Sequence, residues 1–295
     1  MSELQRKDFR CLHRLRVRWA EVDIQKVVFN PHYLTYFDCA FADYWREIAL
    51  PYEESMVLLG GEPFLRKATV EYHASAHLDE QLEVGMRCAR IGNSSMVFHG
   101  GCFRNGKLLV SGELVYVYAN SGTQTSAPVP QALRDAFLGY ESWEPMVRAE
   151  VGNWAELGEA AQALRTEVFV QEQGIALDIE RDAEDAHAVH VLVRNRMGMP
   201  VATGRLLHHA PGVGRIGRMA VKRVLRGSRL GRDVLRALMQ AASDRGDHEV
   251  ILHAQHSALP FYQRLGFVPQ GEPFEEAGIV HQEMHHALPL RPAQV

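Results

Sequence analysis

The 295-residue chain holds no apolar run approaching ~18 residues, so no helix in it is expected to cross a membrane. Its opening stretch, Met1 to Trp19, interleaves Arg and Lys with apolar side chains and lacks an apolar core, and is not expected to act as a signal peptide. Cysteine is scarce. Cys11, Cys39, Cys88 and Cys102 are the only four, all in the first half, with no CxxC pair and no metal-like spacing. They are expected to be reduced thiols of a cytoplasmic protein, mostly buried filler. A basic excess is also missing. The first 145 residues carry 15 basic and 18 acidic side chains, and the remainder 17 and 18. Neither half has the electrostatic footprint of a nucleic-acid binder. No internal repeat is present.

What is present suits two globular domains. The apolar fraction is 46% and the charged fraction 23%, both ordinary, and the length is comfortable for two cores. A polar stretch rich in Ser, Thr, Gly and Pro occupies residues 120–130, a short amphipathic helix is predicted over 131–140, and irregular chain over 141–153. These place a boundary near Pro145, giving domains 1–145 and 146–295.

In the first half a strand is predicted over 12–19. Asn30-Pro31 then offers an N-cap and a first helical proline. Leu34, Phe37, Phe41, Trp45 and Ile48 follow at helical spacing, and Pro51 stops the helix. After that the period becomes two. Val70, Tyr72, Ala74, Ala76 and Leu78 alternate as one strand, and Gly92-Asn93 and Asn105-Gly106 mark hairpin turns. The sum is a central helix followed by an antiparallel meander. The second half alternates instead. Helices are predicted over 157–172, 230–245 and 258–265. Strands are predicted over 189–194, 201–207, 215–221 and 250–254, with a closing hairpin from Phe267. That order implies an α/β domain.

The segment VRWAEVDIQKVVFNPHYLTYF, Val17 to Phe37, resembles the 4-hydroxybenzoyl-CoA thioesterase family of hotdog folds, over roughly residues 10–140. The resemblance implies an α+β hotdog, homo-oligomeric, hydrolysing an acyl-CoA thioester at a dimer interface. In that pattern Asp23 matches the catalytic Asp and the amide of Asn30 is the oxyanion donor. A carboxylate before a helix start suits the task, because it can attack a thioester carbonyl or activate water while unpaired amides polarise the carbonyl. Two positions depart. Many relatives carry Gly where Lys26 stands, and some carry His in place of Asn30. Lys26 is read either as a contact to a CoA phosphate or as a solvated loop lysine. Glu71, Tyr72 and Asp79 are read as structural.

The segment Arg215 to Ala242 resembles motif A of the GNAT superfamily, in its ElaA-like branch. Its turn reads Arg226-Gly227-Ser228-Arg229-Leu230-Gly231, with Arg229 where the usual pattern has Gly. Successive amides at a helix start can cradle a pyrophosphate. The element ALPFYQRLGF, Ala258 to Phe267, resembles the superfamily's closing element, and LRTEVFVQEQ (164–173) and EAGIVHQEM (276–284) match the same branch. By this resemblance the domain is a GNAT α/β fold that transfers an acyl group, acetyl foremost, from CoA to an amine acceptor of unknown identity. Tyr262 would be the general acid for the CoA thiolate, and Met219 and Val221 would bind pantetheine through their backbone. Glu172 and His281 are both candidates for the amine-deprotonating base.

Fifteen histidines include the spaced pairs His187/His190 and His253/His256 and the adjacent His285-His286, but none joins a Cys or carboxylate cluster at ligand spacing, so no metal is expected. The leading expectation is a bifunctional CoA-thioester enzyme with acyl-CoA as substrate. The alternatives are an acyl-CoA-sensing hotdog module that regulates or dimerises the transferase, and a thioesterase joined to a degenerate transferase.

Overall fold

The computed structural model describes residues 4–289. The chain forms two compact units, Met1–Met146 and Val147–Val295.

In the first unit the elements run β1 (Cys11–Arg16), α1 (His32–Glu47), α2 (Tyr52–Leu59), β2 (Gly61–Tyr72), β3 (Gln81–Ile91), β4 (Ser95–Arg104), β5 (Lys107–Asn120) and α3 (Gln131–Glu141). The strands make one sheet in the order β1-β3-β4-β5-β2, antiparallel throughout. Its concave face wraps α1, which buries Tyr33, Tyr36, Phe37, Ala40, Phe41, Tyr44 and Trp45. The close approach depends on glycine. A Cβ at Gly100 or Gly112 would lie 2.6 or 2.7 Å from the Phe37 ring, far inside contact distance. Asn105 and Gly106 both have positive φ (51° and 79°), the backbone that a two-residue hairpin requires.

Two local expectations are corrected. The helix does not use Asn30 as a side-chain cap: α1 starts at His32 after Pro31, with no side-chain cap, because a turn made by His32 N–H on Phe29 C=O and Tyr33 N–H on Asn30 C=O leads into it. The strand expected over 70–78 is instead β2. It starts at Gly61 and ends at Tyr72, while Ala74, Ala76 and Leu78 lie in irregular chain. The run from Phe64 to Thr69 is exposed on both faces of the strand, so no alternation of hydrophobicity announces it.

In the second unit the elements are β6 (Val147–Gly152), α4 (Trp154–Arg165), α5 (Leu177–Glu180), β7 (Val189–Asn195), β8 (Pro200–Ala210), β9 (Val213–Val221), α6 (Leu230–Arg245), β10 (Glu249–Gln255), α7 (Leu259–Gln263), β11 (Val268–Glu276) and β12 (Ile279–Ala287). They build a seven-stranded sheet, β11-β12-β10-β9-β8-β7-β6. The residues expected to be irregular over 141–153 include β6, which pairs antiparallel with β7. The helix expected over 157–172 is α4 followed by a π-helical stretch, Thr166–Glu172. Asn153 caps α4 in a reciprocal box with Glu156.

Among the described residues only the β9–β10 pair is parallel, and it is short: Val213–Ile216 against Glu249–Leu252. Beyond it the two strands diverge while each continues. On its other side β9 is bulged against β8 between Thr203 and Arg205, with Arg218 in the left-handed region at φ 51°. The sheet therefore opens in its middle, and the second unit's cavity forms at that opening.

Candidate functional site

The cavity, about 360 Å³, is lined at the opening by Met219 of β9, Tyr262 of α7 and His281 of β12, and further out by the carboxylates of Glu180, Asp182 and Glu184 and the guanidiniums of Arg205, Arg215 and Arg218. The Tyr262 hydroxyl points at the Met219 sulfur, 3.7 Å away, and burial pushes its phenol up to about 12, so it carries its proton at neutral pH. His281 has its Nδ1 2.8 Å from the Ile279 carbonyl. A carbonyl only accepts, so Nδ1 holds the proton and Nε2 is left as the basic nitrogen.

Past β9 the chain makes a 3-10 turn, Arg223–Leu225, and enters the segment Arg226 to Gly231. Gly227 sits at φ 90° and Arg229 at φ 72°. The Ser228 hydroxyl donates to the Leu225 carbonyl. The backbone N–H groups of Gly227, Arg229, Leu230 and Gly231 find no acceptor among the described residues. These four donors at the positive end of α6 form an anion cradle. Val221 ends β9 beside it, 3.7 Å from the position of a Cβ on Gly231.

The two candidate bases part company. Glu172 does not line the cavity. Arg226 donates to both of its oxygens, at 2.6 and 2.7 Å, and that hydrogen-bonded pairing holds the carboxyl below its usual range. Arg226 is thereby committed to Glu172 and to the Val221 carbonyl.

An ionic network that no local sequence pattern announces in full lies at the cavity. Arg165, 1% exposed, is paired with Glu180 and with Asp185 at 2.8 Å. Arg205 reaches Asp182 at 2.6 Å and Asp185 at 2.7 Å, and Arg218 reaches Asp182 at 3.0 Å. Burial works to raise the Asp182 carboxyl, but the Arg205 and Arg218 guanidiniums override it and bring it down to about 2. The local signal is the acidic run Asp182 to Asp185; nothing local identifies its three arginine partners.

In the first unit Asp23 lies in a tight loop. Its N–H donates to Val27 C=O, its carbonyl accepts from Lys26 N–H, and its carboxylate accepts from Gln25 N–H at 2.8 Å. Lys26 takes φ 64°, the conformation that favours glycine. The loop is tied down by Phe29 N–H on the Glu21 carbonyl, and the buried Glu21 side chain accepts from Tyr36 of α1 at 2.8 Å. The Asn30 N–H makes no hydrogen bond among the described residues, while its carbonyl accepts from the Tyr72 hydroxyl at 3.2 Å. Asp79 pairs with Arg16, and Glu71 is exposed.

All four cysteines are free, and only Cys39 is exposed. Among the described residues no group of three or more His, Cys, Asp or Glu is arranged to hold a metal, and no helix is long and apolar enough to cross a membrane.

Residues 158–288 match the family model of the acetyltransferase (GNAT) domain, and residues 17–137 that of the thioesterase-like superfamily. The chain belongs to the GNAT acetyltransferase family through its second unit, and its first unit carries the match to a hotdog-like, thioesterase-like domain. It is 35% identical over 122 residues to the uncharacterized N-acetyltransferase YjcF of Bacillus subtilis, covering 41% of this chain and 86% of that one. Among solved structures, Escherichia coli ElaA is 30% identical, with 48% of this chain and 99% of that chain covered and a TM-score of 0.43. A thioesterase complexed with coenzyme A and Zn from Thermus thermophilus is 24% identical, covering 48% and 99%, with a TM-score of 0.42. The GNAT domain thus contains the amide cradle, Tyr262 and His281, and the hotdog domain contains Asp23 and Asn30.

Proposed function

We propose that the chain is a bifunctional CoA-thioester enzyme, with acyl-CoA hydrolysis in the hotdog domain and acyl transfer from CoA, acetyl foremost, to an amine in the GNAT domain. The observation that carries this reading is the set of four open amides at Gly227, Arg229, Leu230 and Gly231, next to a sheet opening that holds a protonated phenol and a basic imidazole nitrogen. The amides hold the pyrophosphate of CoA, and Arg229 stands at the same edge. The edge of β9 around Met219 and Val221, unpaired by β10 beyond Ile216, binds the pantetheine arm. His281 Nε2 takes the proton of the acceptor amine, directly or through one water. The amine nitrogen attacks the thioester carbonyl, the C–S bond breaks, and the Tyr262 hydroxyl protonates the leaving thiolate. Glu172, already paired and with its carboxyl lowered, serves better to hold Arg226 than to accept a proton.

In the hotdog domain Asp23 takes a proton from a water that attacks the thioester carbonyl, or attacks it directly to form an anhydride that water then hydrolyses. The open Asn30 amide stabilises the oxyanion, the C–S bond breaks, and the CoA thiolate leaves and takes up the proton released from water. The hotdog domain supplies a homo-oligomeric contact. β2 is an edge strand whose exposed run includes Phe64 (42% exposed) and Leu65 (50%), and a second copy is the natural cover. The sensor alternative draws on one feature: the Asp23 carboxylate is already engaged by Gln25 N–H, which weakens it as a nucleophile.

A panel of short, long and aromatic acyl-CoAs, assayed for thiol release with and without amines, tests both heads. Asp23→Asn should lower kcat for hydrolysis by about 10²–10⁴-fold with a modest change in KM, and leave amine-dependent release unchanged. Wild-type protein that hydrolyses no member of the panel would favour the sensor, and absence of any amine-dependent release would remove the transferase.

A further inference from the structure

A second cleft, about 330 Å³, lies in the hotdog domain and includes Arg87, His99 and Glu141 among its walls, with Lys7 and Arg10 beside them. Arg87 and His99 are register partners across β3 and β4. By strand alternation they stand on the sheet face opposite Met86 and Phe98, which pack on the helix side. The Arg87 guanidinium makes no hydrogen bond or ion pair among the described residues. Its Nε is sealed from solvent and unpartnered, and the group lies 5.9 Å over the Phe9 ring. His99 Nδ1 is likewise sealed and unpartnered. The two carboxylates of the cleft have hydrogen-bond partners of their own, and the Arg87 and Arg10 charges act on Glu141 through space. Asp8 accepts from Gln5 N–H at 2.8 Å, and Glu141 from the Tyr44 hydroxyl at 2.7 Å and Cys88 N–H at 2.8 Å.

A partly sealed guanidinium with no hydrogen-bond partner, faced only by the through-space charge of Glu141, is costly. The arginines under the GNAT cavity all have carboxylates. We propose that this cleft binds a small phosphate-type oxyanion through the Arg87 fork, with His99 as the adjacent donor and Lys7 and Arg10 supplying the surrounding positive charge. The guanidinium fork matches two phosphate oxygens, which a water molecule cannot offer. The phosphate belongs either to a free small molecule or to CoA itself.

Phosphate can also reach the open amides at Gly227 and Arg229, so heat of binding alone does not locate it. The readout is the NMR titration of the His99 ring in the full chain, with and without inorganic phosphate. Burial and the Arg87 charge hold this imidazole below its usual pKa, and a bound anion should move it upward. Arg87→Gln should abolish that movement and weaken the site about ten- to a hundredfold. If Arg87→Gln does not fold, Arg87→Lys should keep the charge, lose the fork and give a smaller weakening. CoA and dephospho-CoA separate the sources: a His99 response to CoA but not to dephospho-CoA assigns the phosphate to CoA, and a response to inorganic phosphate alone assigns it to a free ligand. A His99 titration unmoved by phosphate and by CoA, or moved equally in the Arg87 variants, overturns the proposal. None of these readouts requires hydrolysis or transfer.

Discussion

Tyr262 and His281 face one cavity. Burial keeps the phenol protonated, and the Ile279 carbonyl fixes the imidazole tautomer. Tyr262→Phe should lower amine-dependent transfer by about 10²–10⁴-fold while thioester hydrolysis is unchanged, measured with one acyl-CoA under both assays. His281→Gln should lower amine-dependent transfer mainly through kcat, with thioester hydrolysis unchanged. Glu172→Gln should leave kcat for transfer largely in place; if kcat falls with Glu172 instead, the roles are reversed. The same phenol makes a stability prediction. A folded pKa raised to about 12, against an ordinary ~10, gives a contribution that is fully present below about pH 10 and is lost as pH rises towards 12. Urea unfolding between pH 9 and 11.5 should show stability falling on the alkaline side, and Tyr262→Phe should make that fall shallower.

At the scale of elements, the two departures from glycine have one physical character. Lys26 at φ 64° and Arg229 at φ 72° both occupy left-handed backbone, which costs an L-residue about 1 kcal/mol or more. Arg229→Gly should therefore stabilise the start of α6 or leave it unchanged, by up to about 1 kcal/mol after the extra unfolded-state entropy of glycine is set against it. Gly227→Ala, at φ 90°, should destabilise by about 1–3 kcal/mol. Chemical denaturation of the two variants reads both signs. Glycine templates in the sequence marked these turns, but the sequence alone does not say that the substituted residues bear strain. Helix α6 was legible over 230–245 because its buried residues Leu230, Val234, Leu235, Leu238 and Ala242 recur at helical spacing. Strand β6 was not, because it has no fully buried residue and alternates nothing. β2 escaped for the same reason over its exposed half. The turn at 226–231 and Tyr262 were readable because their chemistry is local in sequence. The Arg165–Asp185–Arg205–Asp182–Arg218 network was not, since it joins residues up to 53 apart through tertiary folding alone.

At the scale of the whole chain, the contact division at Met146 and Val147 makes a separable pair of folding units the expectation. Residues 1–146 and 147–295, expressed apart, should each be soluble and melt cooperatively by circular dichroism. A second fragment begun at residue 153 should melt lower, because it loses β6 from the edge of β7. If neither 1–146 nor 147–295 melts cooperatively, the units depend on each other. The isolated 1–146 fragment should also be the one that self-associates in sedimentation. The long uncovered edge of β2 has a further consequence for how the protein fails. A strand twelve residues long with free backbone donors and acceptors is a template for any other extended chain. Substitutions that weaken the proposed self-contact at Phe64 or Leu65 should then yield turbidity and insoluble material that increase with concentration and temperature. A clean population of monomers is not the expected product, and light scattering would detect the aggregation before any loss of secondary structure.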